Sequence, residues 1–290
     1  MIRIGISGWT YTPWRGKFYP EDLAQKRELE YASLQLNSIE INGTFYSLQR
    51  PSSYQSWYEQ TPGDFVYSLK GPRFITHMRR LKDVDAPVAN FFASGVLCLK
   101  EKLGPILWQF PPNFKFDTER FERFFEMLPQ DTEEAATLAR KHDAKVKGRA
   151  WTQTDQRRRI RHAVEFRHES FLVPEFVKLL RKHRIAMCIA DTGQKFPFAE
   201  DVTADFIYLR LHGPEEIYAS GYSDSDLKLW AKRIMAWAGG GEPKDAHRIV
   251  SKRGSSRKSR DVYIYFDNDL KVKAPFDAMG LSRLLKDKSD

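Results

Sequence analysis

The sequence contains two cysteines in 290 residues, so no disulfide framework holds it together. Both lie in apolar runs, Cys98 in GVLCL and Cys188 in AMCIA, and read as buried thiols of a reducing, cytoplasmic compartment. No apolar stretch approaches the ~18 residues of a membrane span. The opening MIRIGISGWT lacks the charged start and long apolar core of a secretory leader. Rossmann and P-loop glycine patterns, GxSxG and HExxH are all missing, which removes the commonest signatures of dinucleotide, nucleoside triphosphate, serine hydrolase and zinc chemistry. Aromatic residues are abundant instead: 20 Phe, 12 Tyr and 7 Trp exclude a disordered chain.

Positive charge is unevenly spread. Residues 139–161 carry +7 and residues 244–260 carry +6, within a total of +9, so the rest of the chain is slightly acidic. Such concentrated segments attract polyanions by counterion release, or serve only as solvated loops.

Eight short runs rich in β-branched and aromatic residues read as strands: 2–9, 38–43, 65–71, 105–110, 162–168, 186–192, 206–213 and 262–268. Helix candidates separate them at 20–31, 54–60, 86–99, 118–127, 132–142, 174–183, 223–237 and 276–285, with Ser53, Asp117, Asp131 and Ser223 as cap-like residues. This alternation predicts an α/β fold, a (β/α)8 TIM-like barrel forming one domain over 1–290, with basic insertions at about 130–160 and 240–260. A doubly wound open sheet is the rival, but its strands would be apolar on both faces.

Here one face of each strand is polar. Glu40 and Asn42 alternate with Ile39 and Ile41, Glu165 and Arg167 with Val164 and Phe166, Arg210 and His212 with Leu209 and Leu211, and Asp267 follows Phe266. Barrel strands turn apolar side chains outward under the helices, so the polar set converges inside, joined by Lys70, Gln109 and Asp191 at their strand ends. Burying ions is costly unless they pair. They either satisfy one another or line a pocket at the strand C-termini, where barrel enzymes keep their catalytic groups. The loops add Trp9, Tyr11 and Trp14 for stacking on a base or sugar. They also add Thr44 and Tyr46, the cationic set Lys70, Arg73, His77, Arg79 and Arg80, the dense Arg167-His168-Glu169-Ser170 stretch, Tyr222, and Asn268.

Glu40, Glu165, His168, Asp191, His212 and Asp267 are metal-ligand types, so a divalent metal is open as a cofactor. Lys70, Arg167 and Arg210 compete for the same carboxylates. Three functions follow from these residues. In the favoured one, a phosphate-bearing ligand, above all a nucleic-acid phosphodiester, is held by Lys70, Arg73, Arg167 and Arg210. Glu40 or Glu165 is then the base, with His212 or His168 as its acid partner. The others are a non-catalytic nucleic-acid binder using the basic loops and a sugar or sugar-phosphate enzyme. Both basic segments precede a strand, so they are expected on the N-terminal face, opposite the pocket, unless the 130–160 segment wraps around the wall.

The blocks GISGWTYTPWRGKFYPE, NSIEINGTFYSL, SLKGPRFITHMRRL, GPILWQFPP, HAVEFRHESF, TADFIYLRLHGPEEIYASGYS and VYIYFDND closely resemble the YecE-like family, over nearly the whole chain. The resemblance implies a cytoplasmic TIM-like barrel with a polar, aromatic-lined cleft at the strand C-termini and carries no settled reaction. That family is similar in architecture to xylose-isomerase and endonuclease-four barrels. Their metal-ligand sets do not map residue by residue onto this sequence.

Overall fold

A computed structural model describes residues 1–286. Eight strands, β1 (Ile2–Ser7), β2 (Ser38–Ile41), β3 (Val66–Lys70), β4 (Leu103–Gln109), β5 (His162–Glu165), β6 (Ala186–Asp191), β7 (Phe206–Leu211) and β8 (Asp261–Phe266), pair in sequence order and in parallel, and β8 closes on β1. The helices among the described residues are α1 (Glu28–Gln35), α2 (Gly43–Tyr46), α3 (Pro51–Glu59), α4 (Asp85–Ala93), α5 (Thr118–Met127), α6 (Thr132–Ala139), α7 (Pro174–His183), α8 (Asp224–Ala238) and α9 (Ala274–Lys286). The expected (β/α)8 architecture is therefore the observed one. No helix among the described residues is long and apolar enough to cross a membrane.

Alternation drives the closure. Ile39, Ile41, Val164, Phe166, Leu209, Leu211, Ile264 and Phe266 face outward into one continuous core under the helices. Burying each contributes ~1.5–3 kcal/mol. A ring of phenylalanines, Phe110, Phe116, Phe121, Phe171 and Phe176, fills the space between β4, β5, α5 and α7. Inside the barrel a smaller cluster of Leu107, Ala163, Ala186, Cys188, Tyr208, Tyr263 and Tyr265 forms the lower layers. Both thiols are buried and unpaired, and burial pushes Cys98 up to about 12.

Asp117, Asp131 and Ser223 cap their helices, Ser223 through a reciprocal bond with Asp226. Ser53 does not: α3 starts earlier, at Pro51, which suits the first helical turn because it has no amide hydrogen to satisfy. The expected helix over 86–99 breaks after Ala93. Gly95 sits at φ +119°, and a Cβ there would lie 2.6 Å from the Pro51 Cα, so the chain turns and continues as two short, tighter turns within Val96–Lys102, kinked at Lys100. The helix expected from Pro20 begins only at Glu28, after an aromatic loop that packs its own rings.

Gly5 points into the barrel at the β1–β2 seam. A Cβ on it would lie 2.0 Å from the Ser38 carbonyl oxygen, backbone that cannot move without opening the sheet. Gly5→Ala is expected to lower stability by at least ~2 kcal/mol in urea unfolding; a variant as stable as the parent would mean β1 and β2 do not close as described.

Candidate active site

The last inward position of each strand brings charge to one level. The Arg210 guanidinium from β7 is fully buried at its centre. Its Nη1 donates to Glu165 Oε2 at 2.8 Å, and its Nη2 donates to Glu40 Oε1 at 2.9 Å and to Asp267 Oδ2 at 2.7 Å. Glu40 also accepts from the Ser7 hydroxyl at 2.6 Å and the Tyr208 hydroxyl at 2.6 Å. Glu165 accepts from Gln109 Nε2 and Arg167 Nε, each at 2.8 Å. His212 Nε2 lies 3.3 Å from Arg210 Nη1 and its Nδ1 lies 3.0 Å from Asp267 Oδ2. Burial and Arg210 push the imidazole pKa down, so the neutral ring accepts from Arg210 at Nε2, while its Nδ1 faces Asp267 without a hydrogen bond that meets normal geometry. Against the burial penalty, Arg167 and Arg210 hold the Glu165 carboxyl well below its usual range, and Arg210 and His212 do the same for Asp267.

Above this floor lies a rim whose groups are less committed. Lys70 ends β3, its Nζ 4.4 Å from the Phe45 ring centroid, with no hydrogen-bond partner among the described residues. Burial, reinforced by Arg210, pushes its pKa down to about 8. Arg167 reaches the Tyr218 hydroxyl at 3.1 Å and stacks over Phe196 at 4.7 Å. Burial and the neighbouring Asp267 charge raise the Asp269 carboxyl to about 6. Tyr11 stands beside Asp269 and donates to the Ser7 carbonyl at 2.6 Å. The Asn42 Oδ1 is buried and unpartnered. His77 packs its ring edge-on against Phe45, and burial with Lys70 nearby lowers its pKa to about 4.

A groove of about 680 Å³ adjoins the rim across Phe45. Exposed Tyr46, Phe74 and Met78 line it together with Arg73, Lys145 and Arg149. The last two belong to the first basic segment, which does wrap the wall. After α6 it runs along α4, where the Asp143 amide bonds Asn90 and the Trp151 amide bonds the Ala93 carbonyl. It then descends to a bridge between Asp131 and Arg159 ahead of β5. Its upper half thus lies on the pocket side and its lower half on the opposite face.

Several sequence expectations need correcting. Trp14 is fully buried among Tyr11, Phe18 and Tyr19 and offers no stacking face. Trp9 packs edge-on against Trp57 on the flank. Asp191 shares the outward parity of Met187 and Ile189, and its carboxylate accepts from the Tyr222 hydroxyl at 3.0 Å, so neither residue joins the interior. His168 Nδ1 accepts the Ser170 amide and caps a single turn. The buried Thr44 hydroxyl donates to the Lys70 carbonyl at 2.7 Å, and Asn268 ties the Ser220 carbonyl to Asp277. The cationic run after β3 disperses, because residues Phe74–Met78 form one wide π-turn. Arg73 faces Tyr46, Arg79 faces Phe74, and Arg80 bonds the Asn113 carbonyl. Sequence reasoning missed Asp269 as a site residue and placed Tyr218 only in the loop after the seventh strand. The DND end of the last strand block signalled the first. The second is marked only by its φ of +68°, invisible in sequence.

No trio of His, Cys, Asp or Glu side chains among the described residues comes together as a metal-binding group. Arg210 sits where a cation shared by Glu40, Glu165 and Asp267 would sit, so these donors do not suit a divalent ion.

The family model described as "Protein of unknown function DUF72" matches residues 3–290. UPF0759 protein YunF of Bacillus subtilis is 29% identical over 119 residues, and UPF0759 protein YecE of Escherichia coli K12 is 32% identical over 114 residues. These matches span 39% of this chain and about two fifths of those relatives' lengths (41% and 39%). Among solved structures, a DUF72 family protein of Thermotoga maritima superposes with a TM-score of 0.75 at 25% identity, covering 99% of both chains. One from Enterococcus faecalis gives 0.70 at 17% identity over 99% of this chain and 96% of that one, a likeness of fold alone.

Arg210→Met leaves three carboxylates buried without their shared cation. The variant is expected to lose about 3–5 kcal/mol at pH 7. The depressed carboxyl pKa values of Glu165 and Asp267 stabilise the parent above the unfolded value of about 4, and this is lost as pH falls through the folded values. The gap between variant and parent therefore narrows as pH falls from about 4 to about 2 in urea titrations; an equal gap at pH 7 and pH 2 would contradict the ion network.

Proposed function

The chain belongs to the DUF72 family, the group that includes the UPF0759 proteins, and from its rim and groove we propose that it binds a single nucleic-acid strand at the strand C-termini and acts there on a phosphodiester. The observation that carries this reading is the groove of Tyr46, Phe74, Met78, Arg73, Lys145 and Arg149, which shares the Phe45 wall with Lys70. Exposed rings beside cations are what an unpaired strand requires: bases stack on the rings and phosphates pair with the guanidinium and ammonium groups.

A phosphate carried past Phe45 meets Lys70 and Arg167. Lys70 has a free ammonium at neutral pH, and Arg167 is oriented by Glu165 and Tyr218. Asp269, with its carboxyl near 6, is the group able to give or take a proton near neutrality. The two aspartates divide the work: Asp267 stays ionised against Arg210 while Asp269 titrates. Glu40 and Glu165, both fully engaged below, hold Arg210 and Arg167 in place and are not the base. The enzyme reading and the phosphate-bearing ligand expected from sequence are thus kept, with the proton-transfer role moved to Asp269.

Fluorescence anisotropy with a labelled single-stranded oligonucleotide tests the reading. Tyr46→Ala combined with Arg149→Glu is expected to weaken binding about 100-fold, two lost contacts at ~1–3 kcal/mol each. Asp269→Asn should leave binding intact and abolish cleavage. Unaltered binding by the double variant would remove the nucleic-acid reading.

A further inference from the structure

The second basic segment, 244–260, has the composition of a loose surface loop, but its backbone is firmly held. Buried Glu200 accepts the His247 amide at 2.8 Å while pairing with Arg233, and buried Asp201 accepts the Ile249 amide at 2.7 Å and the Val250 amide at 3.2 Å. The Gly254 amide donates to Glu242 at 2.7 Å, and Arg260, 2% exposed, donates to the Gly241 and Ser255 carbonyls at 2.8 and 3.0 Å. Gly254 lies against Val202 so closely that a Cβ would stand 2.8 Å from its carbonyl oxygen. Four buried ionic groups are committed to fixing a stretch whose own Lys252, Arg253 and Arg257 are exposed.

Those three side chains close one side of a cleft of about 490 Å³. Arg159 ahead of β5 and Arg181 and Arg184 at the end of α7 line the other side. All the segments that form the cleft precede strands, so it opens on the N-terminal face of the barrel, away from the rim. Asp205 is its one carboxylate and is already paired with Arg159. Arg181 is oriented by the Val202 and Lys252 carbonyls at 3.3 and 3.0 Å. Arg184, Lys252, Arg253 and Arg257 have no carboxylate partner among the described residues. Four unpaired cations around one cavity repel one another until an anion enters.

We infer that this cleft is a second binding site, for a compact oligophosphate: a chain of linked phosphoryl groups, free or as the tail of a nucleotide. Arginines from separate segments match phosphate oxygens in fork geometry. The cavity size suits a few phosphoryl groups rather than a duplex. No aromatic ring lines it, so no base is read there. This site needs none of the residues of the proposed nucleic-acid groove.

Isothermal titration of the full chain with tripolyphosphate, ATP and a short DNA duplex tests the inference. Tripolyphosphate is expected to bind one to one. ATP should match it if the recognised source is a nucleotide tail and fall below it if it is the free ion. Arg253→Glu with Arg257→Glu should weaken binding about 100-fold, two charge-assisted contacts, without lowering the ligand-free melting temperature. Gln at both positions should give a smaller loss, and Tyr46→Ala with Arg149→Glu none. No binding of tripolyphosphate, equal binding by the Glu variant, or tighter binding of the duplex would overturn the assignment.

Discussion

One fully buried guanidinium organises this barrel. Arg210 reaches carboxylates from β2, β5 and the end of β8, so a single side chain ties together strands on different sides of the ring. An arginine there without partners would be prohibitive, as would three carboxylates without an arginine. The polar interior is therefore permitted only as a set. Ser7, Tyr208, Gln109 and His212 add further hydrogen bonds to the carboxylates and the guanidinium from the lower layers and the adjoining strands, and Arg210 Nε is left buried without a partner.

The same set decides what chemistry is left over. With Glu40, Glu165 and Asp267 occupied by Arg210, the rim groups displaced toward neutrality are Lys70 and Asp269. Burial is the main cause in both, and the nearest floor charge adds to it: Arg210 disfavours a charged Lys70, against the pull of the three carboxylates, and ionised Asp267 disfavours a charged Asp269. Positive charge is then divided between the two ends of the barrel. The wall-wrapping insert carries Lys145 and Arg149 to the aromatic groove, and the pinned 244–260 segment carries its arginines to the opposite cleft.

The barrel was legible because period-two alternation is a local property. Glu40, Glu165, Arg210 and Asp267 could be placed inside from their strands alone, and their convergence follows from closure. Which of them would be consumed by the others was not legible. That depends on strand stagger, which sets Arg210 among the three carboxylates and leaves Lys70 two residues beyond the Ser68 that pairs with Glu40. Residues at strand ends were the least readable. Asp191 and Gln109 look alike in sequence, yet one points outward to Tyr222 and the other inward to Glu165. Trp14 and Tyr46 are both aromatic loop residues; one fills the core and the other stands exposed in the groove. The path of the 130–160 insert is set by contacts with α4 about fifty residues earlier, Asn90 with Asp143 and Ala93 with Trp151, which no local pattern announces.

The central claim is that an Arg210-centred floor leaves Asp269 as the proton-exchanging group of the rim and Lys70 as its buried, uncommitted ammonium. A site-resolved NMR titration of the Asp269 carboxyl carbon and the Lys70 ε-carbon measures this directly. The account predicts midpoints near 6 for Asp269 and near 8 for Lys70. Midpoints at the ordinary values of about 4 and about 10.4 would show that the two groups are not buried beside the floor as described, and would contradict the account.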